Sequence, residues 1–74
     1  MNRDIFTALS RDTERRGTLH YEVTMWDGSI DHRSMDGWFM LSRDHLTVNA
    51  RKVRGRNRWQ LTRTANVSGF TPHA

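Results

Sequence analysis

Cysteine is absent from this chain, which excludes disulfides and thiolate zinc sites together. Proline occurs once, as Pro72, and lysine once, as Lys52. The four histidines, His20, His32, His45 and His73, are too widely spaced to form an HxxxH or HxH pair. No metal site and no cofactor are therefore expected. No apolar run approaches the roughly 20 residues that a membrane helix needs. The opening residues Met1, Asn2, Arg3, Asp4 and Ile5 lack the charged-then-apolar plan of a signal peptide. Acidic residues are missing altogether after Asp44, and that absence says most about function.

What is present is a chain of 74 residues, enough for one domain with a marginal core, since a chain of this size buries only about 60% of its unfolded surface. Stability must come from Trp26, Trp38, Trp59 and the aliphatic residues, or from self-association to a homo-oligomer. All eight acids (Asp4, Asp12, Glu14, Glu22, Asp27, Asp31, Asp36, Asp44) face six arginines up to position 44, a net of −2. From His45 onward six basic residues and no acid give a net of +6. A sign bias of this kind concerns partners rather than fold. The preference for arginine over lysine by itself matches the codon usage of a GC-rich genome, so it is not read as function. A cytoplasmic protein of bacterial or viral origin is expected.

The patterning predicts a single domain over 1–74 of the mostly β, α+β class. Asp4 caps a short helix over about 4–14, with Ile5, Phe6, Ala8 and Leu9 near helical spacing and Gly17 as the stop. The period then changes to two: Leu19, Tyr21, Val23 and Met25 alternate with polar residues, and Asp27-Gly28 is a strong hairpin signal because both positions tolerate positive φ. Residues 29–35 form a polar return strand, and Trp38-Phe39-Met40-Leu41 after Gly37 a central one. Arg43-Asp44-His45 reads as a tight turn, Leu46, Val48 and Ala50 as a strand, Arg54-Gly55-Arg56-Asn57 as the next turn. Trp59 and Leu61 mark a further strand, residues 67–70 a short last one, and 71–74 a tail. The expected architecture is an N-terminal helix followed by a five-stranded, strongly bent antiparallel small barrel over about 18–70, closure being the way so small a sheet hides its edges. Trp38 and Trp59 are expected in the core; Trp26 is out of phase with the apolar face, and exposure would make it an anchor for a partner.

This order of elements resembles the Sm-like/Hfq RNA-binding family. Ile5-Phe6-Thr7-Ala8-Leu9 looks like the family's helix, and Tyr21-Glu22-Val23-Thr24-Met25-Trp26-Asp27-Gly28 like its first strand and turn. Gly37, Phe39, Asp44 and Leu46 are similar to the marks of strands two and three, and residues 61–67 to the hinge before the last strand. The resemblance implies a bent five-stranded barrel and, at Arg63, half of a uridine-contacting pair, with Thr64 standing where the family carries histidine. Small SH3-like barrels of other families share the same order.

The chemistry sits in one place. Arg51, Lys52, Arg54, Arg56 and Arg58 put five cations in eight residues around Gly55. Guanidinium groups match phosphate or carboxylate oxygens with paired hydrogen bonds and stack on bases. Asn57 supplies an amide and Trp59 a ring, the mix expected for single-stranded RNA or DNA. The candidate contact residues are Arg51, Lys52, Arg54, Arg56, Asn57, Arg58, Arg63 and Trp26. Asp27, Asp31, Asp36 and His32 match no calcium loop, and Ser42-Arg43-Asp44-His45 has no triad geometry merely by adjacency. No catalytic residue is expected and the chain is read as non-enzymatic. A second class fits the same composition: a small virus-encoded inhibitor that docks on an acidic surface of a host machine such as RNA polymerase or a defence nuclease complex, by charge complementarity and apolar anchors.

Overall fold

Alternation of apolar and polar residues builds the sheet that the computed structural model shows for this chain, which describes residues 8–73. Five strands follow one another: β1 (Arg15–Thr24), β2 (Ile30–Leu41), β3 (Thr47–Arg51), β4 (Arg58–Arg63) and, after a 3-10 turn at Thr64–Asn66, β5 (Val67–Pro72). They form one antiparallel sheet in the order β4-β3-β2-β1-β5. The inward positions supply the core: Leu19, Phe39, Leu41, Val48, Ala50 and Val67 are buried together with Leu9, and Tyr21, Met35, Leu61 and Phe70 pack around them. Phe70 meets Phe39 edge-on, with ring centroids 5.9 Å apart. No helix among the described residues is long and apolar enough to cross a membrane.

Two architectural expectations are overturned. A helix over 4–14 is not formed in its described part: Ala8 alone is helical, and residues 9–14 carry bends at 11–13 and no regular element, while residues 4–7 lie outside the described range. The reason is that residues 9–14 offer one apolar side chain, Leu9, and bury it directly in the core. Its backbone is satisfied elsewhere, the Ser10 carbonyl accepting from the Leu41 N–H at 2.8 Å and the Ser10 hydroxyl from the Asp12 N–H at 3.0 Å. Such local side-chain bonds compete with helix formation. The expected closed barrel is also absent: the sheet is open, with β4 and β5 at its two edges and no ladder between them. The link between these edges is only the three-residue turn Thr64–Asn66, which at about 2.0 Å per residue spans roughly 6 Å. The sheet must therefore roll until its edges approach at that corner, and the strands leaving it diverge rather than pair.

β2 is one continuous strand of 12 residues, not the two short ones that its polar first half suggested. Where β1 and β2 pair Gly17 with Gly37, a Cβ on Gly17 would lie 2.5 Å from the Phe70 ring and one on Gly37 2.6 Å from the Arg51 carbonyl. Glycine lets β5 and β3 fold closely over the hairpin at this point. β5 continues to Pro72, and the His73 N–H donates to the Arg16 carbonyl at 3.0 Å.

Neither Trp38 nor Trp59 belongs to the core, contrary to the sequence expectation. Phe39 takes the inward position on β2, which turns its neighbour Trp38 to the opposite face, half-buried, and Trp59 is 38% exposed near the β4 edge.

Candidate functional site

Antiparallel register places side chains that are far apart in sequence into one row across the sheet. Arg16 on β1 faces Trp38 on β2, Trp38 faces Arg51 on β3, and Arg51 faces Arg58 on β4. This row lies on the outer face, away from Phe39 and Ala50. The Arg51 guanidinium stands over the Trp38 ring, 5.3 Å from its centroid, a cation–π contact. The adjoining row of the same face is Met40, Asn49 and Gln60.

Glu14 organises the arginines. Its Oε2 accepts from Arg51 Nε at 3.0 Å and Nη2 at 2.7 Å, and its Oε1 pairs with Arg58 Nε at 2.6 Å. The Glu14 side chain is only 15% exposed. The Arg51 hydrogen bonds, reinforced by the nearby Arg58 charge, hold its carboxyl below the usual glutamate range against the opposing effect of burial. Arg51 also donates from Nη1 to the Gly55 carbonyl at 2.8 Å, and the Gly55 N–H bonds to the Lys52 carbonyl at 2.9 Å. One acid thus ties both ends of the β3–β4 loop, residues 52–57, to the N-terminal segment.

Of the predicted contact residues, Arg51 and Arg58 form this scaffold. Lys52, Arg54, Arg56 and Asn57 stand exposed on the loop it holds. Among the described residues, Lys52, Arg54 and Arg56 make no ion pair and no side-chain hydrogen bond. Arg63 is not brought to the loop: it pairs with Thr47 at the opposite end of β4, beside a smaller cavity lined by Asp44, Leu46 and Thr64. Trp26 is also elsewhere, 95% exposed at the β1–β2 turn.

Sequence reading missed Glu14 and Arg16, and no local signal marks them, because only the strand register and the path of residues 9–14 bring them to the site. It also missed Arg11 and Arg43, which flank a cavity of about 600 Å³ on the outer face, floored by Met40 and Asn49. The acids near His32 are engaged locally: Asp31 pairs with Arg33 at 2.8 Å, Asp36 accepts from the Thr18 hydroxyl, and Asp27 accepts from Ser29. No cluster of three or more potential metal ligands occurs among the described residues.

The chain matches no protein-family model, no curated protein and no solved structure.

Proposed function

We propose that this chain is a non-enzymatic module that binds single-stranded nucleic acid, RNA or DNA, through its β3–β4 loop. The observation that carries the reading is the trio Lys52, Arg54 and Arg56, exposed and without an acidic partner among the described residues, on a loop whose ends are fixed by Glu14. A loop held in place loses little conformational freedom on binding. Guanidinium forks suit phosphate oxygens, and Asn57 adds an amide beside them. Kinship with Sm-like RNA binders belongs to the same proposal and would favour RNA.

The test is fluorescence anisotropy with a short labelled single strand. Micromolar or tighter binding is expected at low salt, and combined alanine substitution of Lys52, Arg54 and Arg56 should remove it. Three neutralised phosphates contribute a log–log salt slope of about −2. Binding that ignores salt, or no binding at low salt, overturns the reading.

A second reading, docking on an acidic surface of a host protein machine, is favoured by one observation: Trp26 is 95% and Ile30 57% exposed at the far hairpin. Large exposed aromatics are the commonest anchors of protein interfaces. Capture of a protein partner that Trp26→Ala abolishes, with no affinity for free oligonucleotide, would select it.

A further inference from the structure

We infer that the nucleic-acid track does not end at the loop but crosses the outer face of β2, β3 and β4 into the cavity between Arg11 and Arg43, which receives one nucleotide with its phosphate between the two guanidinium groups. This inference rests on the loop-binding reading above.

The cavity, about 600 Å³, lies within the range of sites that hold small ligands. Arg11 donates from Nη1 to the Arg43 carbonyl at 3.2 Å, which holds its guanidinium on the rim while most of its N–H groups stay available. The Arg43 side chain makes no ion pair or hydrogen bond among the described residues. Two guanidinium groups outweigh the one acid of the lining among the described residues, Asp12. The floor supplies what a base needs: the Asn49 amide for its hydrogen-bonding edge and the polarisable Met40 sulfur for its face. Continuity with the loop is provided by Arg58, whose Nη1 lies 4.0 Å from the Met40 sulfur. From Asn49 to Lys52 the strand covers about 10 Å, so loop and cavity can be reached by one short oligonucleotide. An acidic peptide would meet the same cations but would leave Asn49 and Met40 without a planar ring to read.

The experiment compares wild type, R11A/R43A and the loop triple variant K52A/R54A/R56A by anisotropy with labelled oligouridines or oligothymidines of two and eight nucleotides. For the octamer, R11A/R43A should weaken binding about tenfold and shrink the salt slope by about 1.4, the contribution of two phosphates. For the dinucleotide, which cannot reach both places, the loss should be small. Asp12→Asn removes the negative charge that the described lining carries and should tighten octamer binding two- to threefold, a gain that misfolding cannot mimic. Unchanged octamer affinity and slope in R11A/R43A, with binding lost in the loop variant, would overturn the cavity inference alone. Unchanged binding in both variants would overturn the loop reading as well.

Discussion

Two hairpin ends of this molecule solve the same problem in opposite ways. The β1–β2 end is fixed from within: the Gly28 N–H bonds to the Met25 carbonyl, the Met25 N–H to the Ser29 carbonyl, and Asp27 Oδ1 accepts from both the backbone N–H and the hydroxyl of Ser29. Those hydrogen bonds keep the Asp27 carboxyl below its ordinary range. The β3–β4 end is fixed from outside, by Glu14 acting 37 positions away in sequence. A turn that satisfies its own acid is left with a bare tryptophan at its tip. A loop whose ends are held by a distant acid can keep its middle cations without partners, which is what an anion-binding surface requires.

The largest expected effect comes from removing the external tie. Glu14→Ala leaves the half-buried Arg51 and the exposed Arg58 beside each other without their counter-ion, and should cost about 1.5 kcal/mol, at the low end for charge-assisted hydrogen bonds because Arg58 is largely in water. In a domain of this size that is a fall in Tm of about 6–12 °C, readable by thermal melts. The same tie sets a pH dependence. Because the Glu14 carboxyl titrates lower folded than its ordinary value of 4.5, its contribution is complete above about pH 4.5 and is lost as pH falls through the depressed folded value. The glutamine variant should therefore show a flatter acid limb between pH 3 and 5. A Tm unchanged in both variants would remove the contrast between the two hairpin ends.

The glycines sharpen the same contrast at a smaller scale. Gly28 has φ 85° and open space around its missing side chain, so Gly28→Ala meets only the left-handed backbone penalty, about 1 kcal/mol. Gly55 is not in that region; a Cβ there would approach the Lys52 Cβ at 3.0 Å, a contact that an exposed loop can relieve. Gly55→Ala should cost clearly less, and chemical denaturation of the pair checks the order. If Gly55→Ala is the more damaging, the basic loop depends on its own turn and not on Glu14.

These differences decide what could be read in advance. Asp27-Gly28 located its hairpin because the capping acid and the permissive glycine are adjacent, although the turn uses positive φ at Gly28 alone. The tight turn at residues 43–45 was legible because its acid also acts locally, although no glycine stands there and His45 takes the positive φ: Asp44 accepts from the Ser42 hydroxyl and the Leu46 N–H, each two positions away. The alternation of Leu19 with Tyr21 and of Val48 with Ala50 gave the inward faces. What stayed hidden depends on contacts remote in sequence. Trp38 looked like core because its run is apolar on both sides, and only the register that sets Arg51 above it explains its outward face. The run of five cations looked uniform, yet Arg51 and Arg58 share a carboxylate supplied by a segment expected to be helical. Charge density was visible in the sequence; its division into scaffold and contact groups was not.

The smallest expected effect tests whether the two ends are separate surfaces at all. β2 continues from its rung with Arg51, at Trp38, back to Ile30 without a β3 partner, a contour of about 25 Å that carries the Trp26 tip away from the basic loop. Trp26 is 95% exposed, so Trp26→Ala removes almost no packing and should change stability by less than about 0.5 kcal/mol. Oligonucleotide affinity should likewise stay within a factor of two, since stacking on an aromatic side chain is worth about 1–3 kcal/mol per base only where a base reaches it. A loss of tenfold or more would mean that a strand bound at Lys52, Arg54 and Arg56 also reaches the far tip, so that the rolled sheet offers one long surface in place of two. A variant with unchanged oligonucleotide affinity that has lost a protein ligand would assign the tip to that ligand and leave the loop to nucleic acid.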